Sequence, residues 1–354
     1  MSLQPATIHQ LDHDGMLALT DRSPARAESA FRQAQTLAAA VTKLAAGCQN
    51  VFICGMGGSA ISGDLWRASL GQQESRPMTV QRGPGLPAWV CPDTLAVFLS
   101  YSGNTAETLD AYHRAQETGC RIVGISSGGQ LSRSLRESGR LLVPVPPGMQ
   151  PRAALPEIFF SLLGATSLCD GLTPGERAAV AAWEAMAKVV SAEGNGQDGQ
   201  AQALARSFNE TTPYLLGLTP HTVAVAQRWQ TQINENAKLM ALVAAFPEMT
   251  HNEIVPLHAM TPAPYHLVLF RESETHPLVR AQLDITLAML ADRWQGVSEL
   301  EGSGGPLLAR QMSLVTLGDY VSIYQALLRG LDPTPVGAIQ QLKARMQAAS
   351  PASP

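Results

Sequence analysis

The sequence predicts an α/β protein of two domains, each built on a mainly parallel sheet with helices on both faces. Strand-length apolar runs alternate with helical patterns along most of the chain. These runs are almost continuously apolar, which is typical of strands that are buried on both faces. The chain has 354 residues, and at roughly 150 residues per domain this length favours two domains, each with its own core.

The first predicted domain covers residues 1–193. A helix at about 23–46 precedes its strands, and helices at 153–170 and 175–192 follow them. The five predicted strands read NVFIC (50–54), MTVQ (78–81), LAVFL (95–99), RIVGI (121–125) and LLVPV (141–145). In such a sheet, ligands bind at the carboxyl ends of the strands.

A polar, glycine-rich stretch at 194–200 predicts a linker to the second domain, residues 201–354. Alternation of strands and helices resumes there more weakly. Thr219 and Pro220 supply an N-cap and first position for a long helix that is predicted to run to about residue 245. The other predicted elements are strands at 214–218, 266–270 and 297–300 and helices at 277–293, 306–329 and 335–346.

Two turns of the first domain carry the strongest functional signal. Residues 51–64 read VFICGMGGSAISGD, and residues 95–108 read LAVFLSYSGNTAET. Each turn joins a strand to a helix, whose N-terminus offers free N–H groups and about half a positive charge, and hydroxyls add donors. This combination predicts a phosphomonoester pocket. Its candidate residues are Gly58, Ser59, Ser62, Ser100, Ser102 and Thr105, and a third turn adds Ser126, Ser127, Gly128 and Gly129.

A dinucleotide-binding loop is the alternative for the first turn, because residues 55–60 fit G-x-G-x-x-A. Glu74 lies about the right distance downstream, but it precedes the next apolar run instead of ending it. A second hydroxyl turn has no role in dinucleotide binding, and the absence of G-K-[ST] excludes a P-loop. Glycines that merely tighten strand-to-helix turns remain the structural alternative.

Composition excludes several other classes. The formal charge is −4 and no stretch is strongly basic, so we expect no nucleic-acid partner. No apolar run approaches the 18 or so residues of a membrane helix, and the N-terminus lacks a signal-peptide core. Five cysteines without C-x-x-C spacing favour a reducing cytoplasm. No histidine pair has metal-ligand spacing, and His251, Glu253 and His258 match no standard site, so we expect neither metal nor cofactor.

Four polar residues outside the turns stand out, although each alone has a structural interpretation. Glu235 lies in the predicted long helix, where it could pair with Lys238 or face solvent. His251 lies in a proline-bounded loop, Arg152 opens a helix after the last strand of the first sheet, and Lys343 lies in the last helix. Together with the hydroxyl turns, they favour a catalytic interpretation.

The chain resembles the bifunctional phosphoglucose/phosphomannose isomerase family, a branch of the sugar-isomerase (SIS) fold. The resemblance implies two SIS-type, flavodoxin-like domains. It covers about residues 50–345 in family order, with mild departures in PLHAMTPAP after HNEIV and in PEIFF after PRAAL. The resembling segments are GMGGSAISGD, SYSGNTAET, SSGGQL, PRAAL, NENAKLMA, PEMTHNEIV, GDYVSIYQALLRGLDPTPV and QLK.

This resemblance implies an aldose–ketose isomerase that acts on glucose or mannose 6-phosphate. Glu235 would move a proton between carbons 1 and 2, and Arg152 would stabilise the enediolate. His251 and Lys343 would assist ring opening, with His251 donated by the partner subunit of a homodimer. The phosphate would be bound by Gly58, Ser59, Ser100, Ser102 and Thr105.

The implied chemistry agrees with the residue types. Moving a carbonyl between adjacent carbons needs one base that takes a proton and returns it, and a fixed cation for the oxyanion. A non-catalytic sugar-phosphate sensor of the same fold is the alternative, but it would not need the Glu, His, Arg and Lys set. The relative activity on the two aldoses stays open.

Overall fold

The computed structural model describes residue 3 and residues 5–70, 76–194, 199–208, 211–260 and 264–349. Glu74 and most of the predicted linker lie outside the described residues. The described chain forms two sheets in which every paired strand is parallel, with helices packed around them, and this confirms the predicted α/β class.

All five strands predicted in the first half are present to within about one residue. Their bounds are β1 Asn50–Gly55, β2 Met78–Gln81, β3 Thr94–Leu99, β4 Arg121–Ser126 and β5 Leu141–Pro144. They pair in the order β2-β1-β3-β4-β5. Every residue of β3 is buried, as expected for an apolar strand covered on both faces.

The second sheet has four strands, of which the sequence predicted three. Their bounds are β6 Thr212–Gly217, β7 Leu242–Ala245, β8 Tyr265–Arg271 and β9 Gly296–Glu301. They pair in the order β7-β6-β8-β9, which leaves β7 and β9 at the edges.

Fifteen α-helices lie in the described part of the chain. Those of the first half are α1 Pro5–Leu11, α2 Met16–Asp21, α3 Ser23–Gln35, α4 Ala38–Ala45, α5 Gly57–Leu70, α6 Ala106–Glu117, α7 Gly129–Glu137, α8 Leu155–Ala165 and α9 Glu176–Gly194. Those of the second half are α10 Gln200–Phe208, α11 Pro220–Gln232, α12 Ile254–Ala259, α13 Pro277–Met289, α14 Leu307–Leu328 and α15 Gly337–Ala349.

The prediction of a single helix at about 23–46 is wrong, because the chain forms the two helices α3 and α4 with a break between them. Thr36 lies at this break, and its hydroxyl donates a hydrogen bond to the Gln33 carbonyl oxygen at 2.7 Å. A threonine side chain that bonds nearby backbone in this way competes with helix continuation.

The prediction of a long helix from Thr219 to about residue 245 is also wrong. The α-helix α11 ends at Gln232, and one π-helical turn, Ile233–Ala237, follows it. Lys238 then adopts a left-handed conformation with φ 51°, which ends the helical segment. The apolar run after it forms β7 and pairs with β6, since a short apolar run fits a buried strand as well as a helix.

The two halves meet through helices. The helix α14 is buried along most of its length and packs against α9, α10 and α11, while α5 packs against α11 and α8. This brings the carboxyl edge of the first sheet, where α5 begins, close to the turn that ends α11. No helix among the described residues combines the length and apolarity needed to cross a membrane.

Candidate active site

The first glycine-rich turn joins β1 to α5 and packs against the segment that carries Arg152. A Cβ on Gly58 would lie 3.3 Å from the Pro151 carbonyl oxygen, so a larger residue would push the two segments apart. Ser59 is buried, and its Oγ accepts a hydrogen bond from the Tyr101 backbone N–H at 3.3 Å. The first turn is therefore fixed between Arg152 and the second turn.

The second turn gathers three hydroxyls near the N-terminus of α6. Ser100 Oγ lies 3.1 Å from Thr105 Oγ1 and accepts a hydrogen bond from the Gly103 N–H at 3.1 Å. Ser102 is exposed, and its Oγ accepts from the Asn104 N–H at 3.3 Å. Gly103 has φ 67° and lies so close to the third turn that a Cβ would overlap it. Only glycine allows this arrangement of hydroxyls.

Thr105 is the N-cap residue of α6, but its side chain makes no capping hydrogen bond. Its hydroxyl pairs with Ser100 instead. The helix therefore keeps the positive pole that its first N–H groups create. Together with the neighbouring hydroxyls, this pole can bind an anion such as a phosphate.

Three other hydroxyls that the sequence placed near this pocket are used for internal hydrogen bonds. Ser62 is fully buried and donates to the Gly58 carbonyl oxygen at 3.1 Å, so it does not face a ligand. Ser126 and Ser127 donate to backbone carbonyl oxygens of the third and second turns at 3.0 and 2.6 Å. The third turn thus packs against the second turn and is hydrogen-bonded to it.

Arg152 is held by hydrogen bonds from two of the three nitrogens of its guanidinium group. It is 2% exposed in the 3₁₀ turn that opens α8. Its Nε donates to Asn236 Oδ1 at 2.6 Å, and its Nη2 donates to the carbonyl oxygens of Pro333 and Thr334 at 2.8 and 2.7 Å. Its Nη1 lies 3.6 Å from Glu235 Oε2. Burial lowers the pKa of Arg152, whereas the Glu235 charge raises it.

Glu235 lies between two asparagines that anchor the π turn to different elements. Asn236 Nδ2 donates to Ser322 Oγ on α14 at 2.9 Å, and Asn234 Oδ1 accepts from the Ala241 N–H at 3.1 Å. The Glu235 side chain remains 28% exposed beside the buried guanidinium. This places a carboxylate that can exchange protons next to a cation that can stabilise an oxyanion.

Lys238 does not form the pair with Glu235 that the sequence left open. Its Nζ instead donates to three backbone carbonyl oxygens, those of Asn236 at 2.9 Å, Asp332 at 2.8 Å and Pro333 at 3.0 Å. Sequence reasoning missed the roles of Lys238 and Asn236 around Arg152. The available signal was their position in the segment NENAK, directly beside Glu235.

His251 and Lys343 are exposed in the described chain, away from direct contact with Glu235 or Arg152. His251 ends a 3₁₀ turn, Glu248–His251, and is exposed. Lys343 is exposed on α15. Within the described ranges, neither side chain makes a hydrogen bond or ion pair with Glu235 or Arg152.

The groups that do meet provide acid–base and electrostatic chemistry. An anion pocket, a half-buried carboxylate and a fixed guanidinium lie along one edge of the first sheet. Across the described residues, no three His, Cys, Asp or Glu side chains are grouped closely enough to hold a metal ion.

Comparison with known proteins shows the family to which the chain belongs. Residues 197–346 match the model of the bacterial phospho-glucose isomerase C-terminal SIS domain. A bifunctional phosphoglucose/phosphomannose isomerase from Caldicellulosiruptor bescii is 35% identical over 303 residues, which is 84% of this chain and 89% of that protein. The chain belongs to the bifunctional phosphoglucose/phosphomannose isomerase family. The family's enzymes are isomerases of the intramolecular oxidoreductase class, and the predicted resemblance is confirmed.

Other comparisons place this family member within a broader fold. The Aquifex aeolicus bifunctional phosphoglucose/phosphomannose isomerase is 32% identical over 84% of this chain and 91% of that protein. The crystal structure of tagatose-6-phosphate ketose/aldose isomerase from Escherichia coli superposes with a TM-score of 0.71. It is 14% identical and covers 91% of this chain and 95% of that chain, a similarity that confirms the SIS-type fold.

Proposed function

We propose that this family member interconverts glucose 6-phosphate and/or mannose 6-phosphate with fructose 6-phosphate through an enediol(ate) intermediate. The observation that carries the proposal is the 3.6 Å approach of Arg152 Nη1 to Glu235 Oε2 beside a hydroxyl-lined helix N-terminus. Relatives named bifunctional phosphoglucose/phosphomannose isomerases support it.

The sugar phosphate binds in the first two turns. The side chains of Ser59, Ser100, Ser102 and Thr105 and the backbone N–H of Gly58 surround it, and the N-terminal pole of α6 stabilises its charge. The phosphate lies away from the reacting carbons, so its binding energy orients the substrate for the chemical step.

Glu235 is the base and then the acid. Its carboxylate takes the proton from C2 of the open-chain aldose, and the electrons of that bond form the C1–C2 double bond with negative charge on O1. Glu235 returns the proton to C1 while the O2 proton passes to O1, which yields the ketose. Arg152 stabilises the oxyanion because its guanidinium is fixed before the charge develops.

Ring opening, which must precede this step, uses His251 and Lys343. His251 is exposed in its own chain, so we assign it to the active site of a partner subunit in a homodimer. The helix α15 supports a second copy, because its apolar residues Ile339 and Leu342 are 40% and 59% exposed. A helix of 13 residues is marginally stable in water unless its apolar face packs against a neighbour.

The domain organisation and compartment belong to the same proposal. The chain divides into an N-terminal SIS domain, 1–193, a linker, 194–200, and a C-terminal SIS domain, 201–354, with one sheet in each domain. Five free cysteines, four of them buried, support a reducing cytoplasm as the working compartment.

The test is an assay of fructose 6-phosphate formation from each aldose 6-phosphate by the purified chain. We expect turnover of at least one aldose, with kcat lowered roughly 10²–10⁴-fold by Glu235→Gln. Calorimetric binding of fructose 6-phosphate without turnover of either aldose would contradict the proposal and identify the chain as a sugar-phosphate sensor.

A further inference from the structure

Lys238 has an unusual backbone conformation for its residue type. Among the residues that the structure describes, it is the one non-glycine residue with positive φ, at φ 51° and ψ 38°. A side chain with a Cβ is disfavoured there, and such conformations cluster at functional sites. The conformation turns the chain sharply after the π turn that carries Glu235.

The amine of Lys238 uses all its donors on backbone carbonyl groups. Two of the three acceptors, the carbonyl oxygens of Asp332 and Pro333, belong to the loop between α14 and α15. The third, that of Asn236, belongs to the π turn itself. An ammonium has three N–H donors, so the amine connects the π turn to this loop with none to spare.

The same loop also holds the guanidinium of Arg152. The Pro333 carbonyl oxygen accepts from both Arg152 Nη2 and Lys238 Nζ, at 2.8 and 3.0 Å. The carboxylate of Asp332 also stabilises the loop. It accepts a hydrogen bond from the Thr334 N–H at 2.8 Å and lies 2.9 Å from His13 Nδ1. A shift of the loop would therefore move the acceptors that orient Arg152.

Burial makes a charged amine at Lys238 unfavourable. Burial and the neighbouring Arg152 charge lower the pKa of Lys238, and the charges of Asp332 and Glu235 raise it. Placing a partly buried amine beside a buried guanidinium is unfavourable. The partial burial of the amine and the left-handed backbone occur at one residue, three positions after Glu235.

We propose that Lys238 is a positioning residue for the isomerisation: it fixes the loop 332–334, and through this loop the orientation of the Arg152 guanidinium toward Glu235. This inference rests on the proposed function. Since α15 starts three residues after the loop, the same contacts set where the helix carrying Lys343 begins.

The variant Lys238→Gly tests the contribution of the amine separately from that of the backbone conformation. Glycine adopts the left-handed conformation readily, so this variant removes the three hydrogen bonds without backbone strain. We expect kcat to fall by roughly 10- to 100-fold, the scale of effect that small misplacement of reacting groups produces, with KM changed less than about threefold. Lys238→Arg, which keeps a cation with several donors, should restore most of kcat.

Arg121→Met is the matched control. Arg121 Nη1 also donates to two backbone carbonyl oxygens, those of Leu44 and Ala46, but at the amino end of β4, away from the hydroxyl turns. Hydrogen exchange of residues 331–342 should accelerate in Lys238→Gly and remain unchanged in Arg121→Met. Melting curves for each variant show whether it is folded.

Three outcomes would overturn the proposal: wild-type kcat in a folded Lys238→Gly variant, equal kcat losses in the glycine variant and the Arg121 control, or unchanged exchange of residues 331–342. A wild-type chain without turnover would instead refute the proposed function, and the exchange experiment would still decide whether Lys238 fixes the loop.

Discussion

The carboxyl edges of the two sheets share parallel topology but differ in whether the helix N-terminus is free to bind an external anion. At the first edge, α6 begins after β3 with an N-cap threonine whose side chain leaves the helix uncapped. Ser100, Ser102 and Thr105 surround this N-terminus, and Ser102 is exposed. The edge offers donors and a positive pole to an external anion.

At the second edge, the negative charge is a carboxylate of the chain itself, that of Glu272. The helix α11 begins after β6 with a reciprocal cap, in which Thr219 and Thr222 satisfy each other's backbone N–H groups. Buried Glu272 lies 2.5 Å from His221 Nε2 and 3.2 Å from Arg310 Nη2. Burial raises the pKa of Glu272, but the hydrogen bond and electrostatic interaction with His221 and the charge of Arg310 outweigh it and lower the pKa to about 2.

The parallel topology that both edges share therefore does not by itself create a turn that can bind an external anion. Both edges carry a strand, a turn and a helix N-terminus, but the second satisfies its donors and neutralises its charges internally. A hydroxyl-rich, uncapped turn marks the edge that is open to ligand. The contrast predicts that equivalent substitutions affect substrate at the first edge and stability at the second.

The largest expected effect is that of Glu235→Gln. Loss of a positioned acid/base should lower kcat by roughly 10²–10⁴-fold, while fructose 6-phosphate still binds because the phosphate turns are unchanged. Steady-state kinetics and calorimetry measure the two quantities. Glu299→Gln, which removes an exposed carboxylate of β9 that pairs with Arg271 of β8, is the control and should leave kcat unchanged. Activity of Glu235→Gln within a few-fold of wild type would remove Glu235 from the mechanism.

The second prediction separates the two edges directly. Replacing both Ser102 and Thr105 by Ala should weaken fructose 6-phosphate binding well over tenfold, since each charged hydrogen bond contributes about 1.5–3 kcal/mol. Thr219→Ala at the second edge should lower the free energy of unfolding by about 0.5–2 kcal/mol and leave binding unchanged. Calorimetry and melting curves test both variants. Unchanged affinity in a folded double mutant would place the phosphate elsewhere.

The third prediction concerns pH at the second edge. Because the pKa of Glu272 is depressed from 4.5 to about 2, its stabilisation is present above pH 4.5 and is lost as pH falls toward 2. Glu272→Gln should lower the free energy of unfolding at pH 7 by about 1–3 kcal/mol. The difference from wild type in urea titrations should shrink across that window, with kcat at pH 7 unchanged. A pH-independent difference would show that the charge of Glu272 is not the cause.

Strand periodicity and turn chemistry were enough to predict the first sheet, because its apolar runs are bounded by glycines and hydroxyls. The strand β7 was not predictable, since Leu242–Ala245 continues an apolar pattern that begins in a helix. What decides it is pairing with β6, a contact that is distant in sequence. The π turn and the left-handed Lys238 are likewise set by tertiary hydrogen bonds.

Within the candidate site, the sequence suggested candidate residues but not the contacts that hold them. Arg152 and Glu235 are 83 residues apart and lie 3.6 Å from each other only because α5 packs against both α8 and α11. The acceptors that orient Arg152 are backbone carbonyl oxygens, which no residue type reveals. The role of Ser62 was mistaken for the same reason, since its hydroxyl bonds to its own helix.

Proton NMR of fructose 6-phosphate incubated with the wild-type chain in D₂O tests the central claim most directly. Transfer of a proton by Glu235 through an enediol(ate) predicts that glucose or mannose 6-phosphate appears. Deuterium should enter at C2 of the aldose and at C1 of the remaining fructose 6-phosphate. Both changes should be lost in Glu235→Gln. Fructose 6-phosphate that stays unconverted and undeuterated would contradict the claim, as would the same conversion and deuteration by Glu235→Gln.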